Sequence, residues 1–156
     1  MTKNINYQDL ATALQGLLED EPDALANLAN SAALIFHSME NINWAGFYLL
    51  RGNELVLGAF QGKPACIRIA LGRGVCGTAA QNRESLVVED VHEFPGHIAC
   101  DAASASEIVI PVIRDNQLVA VLDIDSPYKG RFDETDREKL ELCADILARH
   151  IRWEDL

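Results

Sequence analysis

The sequence predicts an α+β fold in which helices from both ends of the chain pack on one face of an antiparallel sheet. Three observations predict it. Apolar residues recur at helical spacing near both ends. The middle alternates short β-prone runs with turn signals, and these close hairpins rather than βαβ crossovers. The chain has 156 residues, 49% of them apolar, enough for one domain that buries roughly two-thirds of its unfolded surface. One domain covering residues 1–156 is therefore expected.

The elements follow in order. Leu10, Leu14, Leu17 and Leu18 mark a first amphipathic helix. A second is expected over residues 23–39, with a stripe at positions 25, 28, 29, 32, 36 and 39 and Pro22 compatible with its first turn. Residues 43–50 and 54–60 read as two strands around a Gly-Asn turn, with a short strand at 66–70. Residues 74–82 form a brief helix after a glycine-rich entry, and residues 85–88 another short strand. A long connection then runs to Ala105; connections of that length are commonly functional or disordered, and the Phe94, Pro95, His97, Ile98 and Cys100 it carries favour function. Residues 107–113 and 117–124 are strongly β-prone, with Arg114-Asp-Asn between them as a turn. Asp133 is a suitable N-cap for a closing helix, whose first turn is crowded with acidic residues.

Charge narrows the function. Thirteen Lys and Arg against twenty-four Asp and Glu leave a net charge of −11, with no basic run to offset it. This argues against a nucleic-acid partner and against an anionic membrane surface. No apolar stretch approaches the ~18 residues of a membrane span, and the first ten residues lack a signal-peptide pattern, so a cytoplasmic protein is expected.

In a reducing compartment the four cysteines need an explanation other than a permanent disulfide framework. Cys143 lies among positions 140, 143, 144, 147 and 151 at helical spacing and reads as a core residue. Cys66, Cys76 and Cys100 each lie beside residues that break regular structure, where thiols can be exposed and approach one another. Metal binding is disfavoured: there is no Cys-x-x-Cys pair, and His92, His97 and Cys100 form one weak cluster without a fourth ligand.

Taken together, five separated segments resemble the free methionine-(R)-sulfoxide reductases, which are stand-alone GAF domains. They are Asn43-Trp-Ala-Gly-Phe-Tyr48, Phe60-Gln-Gly-Lys-Pro-Ala-Cys-Ile-Arg-Ile69, Gly72-Arg-Gly-Val-Cys-Gly-Thr78, Phe94-Pro-Gly-His-Ile-Ala-Cys-Asp101 and Leu122-Asp-Ile-Asp-Ser-Pro127. The resemblance runs from about Tyr7 to the C-terminus and includes all three loop cysteines. A generic GAF sensor would share the strands and helices without them. One departure, Ala120 where a glycine is common, touches no functional residue.

The resemblance implies a GAF-like sheet and an enzyme that reduces free L-methionine (R)-sulfoxide to methionine without a bound cofactor or metal. It implies Cys100 as the nucleophile, Cys66 and Cys76 in the disulfide relay with Cys66 favoured as the direct resolver, thioredoxin as the reductant, and a homodimer. The chemistry agrees: a thiolate attacking the sulfoxide becomes a sulfenic acid, and a second thiol must condense with it.

Glu107, Asp123 and Asp125 are candidates for the substrate ammonium and for the proton the departing oxygen needs. Asp123 and Asp125, two apart on a strand, share a face, as do Trp44 and Tyr48, four apart. From spacing alone a solvated strand end suits the two aspartates as well as a binding role does, and ordinary core packing is the better reading of the two aromatics; the resemblance turns these residues toward substrate binding. Lys63 and Arg68 flank Cys66, either solvated or lowering a thiol pKa, and His97 reads as structural. Two alternatives stand beside the enzyme: a non-catalytic GAF sensor for a small ligand, which leaves three cysteines unused, and a thiol redox switch, which leaves the acidic cluster unused.

Overall fold

A computed structural model describes residues 5–98, 100 and 102–156; Ala99 and Asp101 of the Phe94 to Asp101 motif lie outside the described residues. In chain order the elements are α1 (Tyr7–Leu18), α2 (Ala24–Ser38), β1 (Trp44–Arg51), β2 (Glu54–Gly62), β3 (Arg68–Ala70), α3 (Gly74–Asn82), β4 (Leu86–Val88), β5 (Ser106–Arg114), β6 (Gln117–Ser126) and α4 (Glu134–His150). The six strands form one antiparallel sheet in the order β3-β2-β1-β6-β5-β4.

The two hairpins meet at the centre, where β1 pairs with β6. The β5–β6 turn is two residues long, and both Asp115 and Asn116 have positive φ, the geometry a tight hairpin requires and Asp and Asn tolerate.

Period-2 alternation divides the sheet into two different faces. Ala45, Phe47 and Leu49 of β1, Ile108, Ile110 and Val112 of β5, and Ala120, Leu122 and Ile124 of β6 face one core with α1, α2 and α4. Truncating a fully buried member such as Leu122 to Ala costs about 2–5 kcal/mol. The opposite face carries Trp44, Tyr48, Val109 and Val121 against α3 and the loops. The terminal helices thus cover one face, as expected, and leave the other for the site.

The helix ends follow their sequences. Asp133 and Asp136 form a reciprocal capping box at the start of α4. Asp136 also accepts from the Tyr7 hydroxyl at 2.6 Å and pairs with the fully buried Arg131 at 3.6 Å, which joins α1 to α4. One expectation needs correction. Leu25 is 65% exposed, and the buried face of α2 is Ala24, Asn27, Leu28, Ser31, Ala32 and Ile35. Two polar residues belong to it, Asn27 because its amide donates to the Glu21 carbonyl at 2.7 Å, so the apolar pattern alone places the stripe about one residue off. Pro22 lies before the N-cap Asp23 rather than within the first turn.

Candidate active site

Three strands and one helix deliver the polar residues of the second face. The register sets Glu107 of β5 opposite Asp125 of β6, Val109 opposite Asp123, and Trp44 of β1 opposite Asp125. The three carboxylates and the two aromatic rings therefore converge near one end of the central strands. The helix α3 presses in from the loop side. Gly77 makes that approach possible: a Cβ there would lie 2.4 Å from the Ala70 carbonyl. Cys76, in the first turn of α3, is thereby set against the carboxylates.

These elements line a partly open cavity of about 50 Å³. Of the eight site residues expected from the sequence, Trp44, Tyr48, Cys76, Cys100, Glu107, Asp123 and Asp125 line it. Cys66 is the exception. It stands at the edge and is joined to Cys100 by a disulfide with a Cα–Cα distance of 5.5 Å, bridging segments 34 residues apart. Cys143 is buried in α4, within the helical core.

The cavity floor is a proton-holding cluster. Cys76 Sγ lies 3.8 Å from Glu107 Oε2, and Cys76, Glu107 and Asp123 each bring a donor atom within 4.8 Å of the others. Burial pushes the Glu107 carboxyl well above its ordinary range, with the neighbouring Asp123 charge adding to it. Burial, then Asp125, raises Asp123 to about 8. Burial and the same carboxylates hold the Cys76 thiol far up, which outweighs the pull of its helix N-terminus toward thiolate. Such a trio has the residue types of a metal site, but a metal needs thiolate and carboxylates deprotonated, whereas this environment favours protons on them. Asp123 Oδ1 is buried and has no hydrogen-bond partner, an acceptor held ready inside the cavity.

The aromatic wall is fixed by stacking. The Trp44 ring lies 5.2 Å from Phe60 and 6.0 Å from Tyr48, near parallel to both. Of the two readings for the flanking cations, the structure agrees with the solvated one. Arg68 pairs with Glu54 across β2 and β3 at 2.6 Å, and the Lys63 residue is exposed. His97 lines the cavity, with its ring 6.1 Å from His92; burial, then His92, lowers its pKa.

Sequence reasoning missed two features. Arg73, the residue before α3, is among the residues that line the cavity. Its place after Gly72 in the glycine-rich entry was the available signal. The thiol–carboxyl contact of Cys76 left none, because it joins residues 31 positions apart.

Comparison with known proteins agrees with this geometry. The GAF domain family model matches residues 20–152. The free methionine-R-sulfoxide reductase of Escherichia coli is 54% identical over 140 residues, covering 90% of this chain and 85% of that protein. Among solved structures, reduced fRMsr of Staphylococcus aureus superposes with a TM-score of 0.93 at 50% identity, covering 97% of this chain and 99% of that one. The free methionine-R-sulfoxide reductase of Neisseria meningitidis in complex with its substrate gives 0.91 at 42% identity, covering 96% and 90%.

Proposed function

The chain belongs to the free methionine-R-sulfoxide reductase family of GAF-domain proteins, and from that premise we propose how its own residues reduce free L-methionine (R)-sulfoxide to L-methionine. The observation that carries the reading is the disulfide at the cavity wall: Cys100 lines the cavity and Cys66, its partner, stands outside the lining.

The Cys100 thiolate attacks the sulfoxide sulfur. The S–O bond breaks as the oxygen passes to Cys100, releasing methionine and leaving a sulfenic acid. The Cys66 thiol then displaces that oxygen as water and forms the disulfide. An external dithiol, thioredoxin in this proposal, reduces the disulfide and is itself oxidised.

The polar and aromatic residues around Cys100 divide the remaining tasks in this scheme. Glu107 and Asp123, both pushed toward the protonated form, supply the proton the oxygen needs as it leaves sulfur. Asp125, half-buried at the strand end, receives the substrate ammonium. Arg73, together with backbone N–H groups of the long loop, receives the carboxylate. Trp44 and Tyr48 wall the methyl group. Cys76 serves as a secondary thiol that holds Glu107 through its hydrogen bond.

Among the described residues no helix is long and apolar enough to cross a membrane. A cytoplasmic enzyme acting as a homodimer completes the proposal. The test is NADPH consumption coupled through thioredoxin reductase and thioredoxin, with the resolved free sulfoxide. Substrate-dependent turnover supports the enzyme; ligand binding without turnover would instead support a sensor.

A further inference from the structure

The segment 63–66 that carries Cys66 has no helix or strand of its own. Two side chains of β1 reach it. Trp44 Nε1 donates to the Lys63 carbonyl at 3.0 Å, and the Tyr48 hydroxyl donates to the Cys66 carbonyl at 2.9 Å. Just beyond, the Leu57 amide donates to the Ile67 carbonyl at 2.8 Å. The backbone around the resolving sulfur is therefore pinned at three carbonyls, those of Lys63, Cys66 and Ile67, two of them by aromatic residues of the cavity wall.

Those aromatics cannot easily drift. Trp44 is stacked between Phe60 and Tyr48, and glycines admit it: a Cβ on Gly62 would lie 2.6 Å from its Cδ1 and one on Gly46 2.8 Å from its Cη2. An aromatic side chain has two rotatable torsions, so little entropy opposes its use as a fixed post.

We propose that Tyr48, assisted by Trp44, is a positioning residue for the Cys66–Cys100 couple as well as part of the cavity wall. This rests on the reading of Cys66 as resolver. Closing a disulfide within one chain depends on how often the two sulfurs meet, and a hydrogen bond to the carbonyl of Cys66 itself restricts where that sulfur can be. Removing the hydroxyl leaves the ring in place and frees the carbonyl, so the effective concentration of Cys66 at Cys100 falls. The tether thereby gives one strand two tasks, shaping the cavity in front and setting the redox couple behind.

The test is a redox titration of the full-length protein without substrate. Oxidised glutathione takes two electrons from the Cys66 and Cys100 thiols, yielding the protein disulfide and two reduced glutathiones, and the fraction oxidised is read by thiol alkylation and mass spectrometry. For Tyr48→Phe the equilibrium constant should fall about three- to tenfold, the worth of one hydrogen bond. Trp44→Phe, which keeps a ring but loses the Nε1 donor, should shift it the same way. A role confined to general packing would leave this constant unmoved. A constant for Tyr48→Phe within twofold of wild type overturns the inference while leaving the resolver reading intact. If the wild-type protein forms no Cys66–Cys100 disulfide in the titration, both fall.

Discussion

The thiol of Cys76 donates to the carboxyl of Glu107 across 3.8 Å, a contact between α3 and β5 buried from solvent on both sides. It places a third cysteine inside the acid cluster and outside the disulfide. The two sorts of thiol in this site are thus sorted by surroundings, one pair half-buried at the rim and one held neutral among carboxyls.

Cys100→Ser should abolish turnover, and Cys143→Ser should leave it nearly intact. Cys100 lines the cavity, whereas Cys143 packs inside the helical core, where burial raises its thiol to about 11. Serine at 143 should lower the melting temperature by a few degrees, as expected for burying a hydroxyl. Equal loss of activity in two folded variants would refute the assignment.

Cys66→Ser should separate the two halves of the cycle. Without reductant it should release up to one methionine per chain, then stall or slow under thioredoxin recycling. Single-turnover release measured beside the steady-state rate reads both. Wild-type cycling by this variant would remove Cys66 as the required resolver.

The free amino acid should be strongly preferred. N-acetylation removes the ammonium, leaving Asp125 facing an uncharged amide, and sites built around a polar partner reject analogues lacking it by up to about 10⁴–10⁵-fold. kcat/KM on the resolved R epimers of the free and N-acetyl sulfoxides measures this. Similar values would count against ammonium recognition at Asp125 and its neighbours.

Arg73→Gln should raise KM for the free sulfoxide about tenfold, by loss of a charge-assisted contact to the carboxylate. The same substitution should matter little with methionine sulfoxide amide, which has no carboxylate to lose. A comparable effect on both substrates would show that Arg73 acts through the fold of α3 instead.

The buried carboxyls should cost stability as pH rises. Asp123 holds its proton up to about 8 in the folded protein but only to about 3.9 when unfolded. The native state therefore binds more protons across that window, and stability falls as pH rises from about 4 to 8. Asp123→Asn removes this dependence. Urea midpoints from pH 5 to pH 8 should show the variant gaining on wild type with increasing pH, and parallel curves would contradict the proton-holding cluster.

Much of this site is written in local patterns. Asp123 and Asp125 share a face because strands alternate, and Trp44 and Tyr48 share one for the same reason, so their convergence needed only a register. Cys143 was legible from its helical neighbours. What remained hidden depends on backbone atoms and on contacts across the chain. The acceptors of Trp44 and Tyr48 are carbonyls, which every residue has, so no residue type announces them. The burial of Asn27 in α2 is set by the Glu21 carbonyl and runs against its polarity, which is why the apolar stripe misplaced that face.

The central pairing of β1 with β6 has a consequence for synthesis. Between them the ribosome must deliver β2, β3, α3, β4 and β5, and at roughly 5–20 residues per second this takes several seconds. Throughout that interval the nascent β1–β2 hairpin keeps one edge open, with Trp44 and Phe47 on its two faces and α4 not yet made. The emerging chain therefore carries an unpaired strand edge until its last strand arrives, and a translation product that stops before β6 keeps that edge with nothing in the chain to close it.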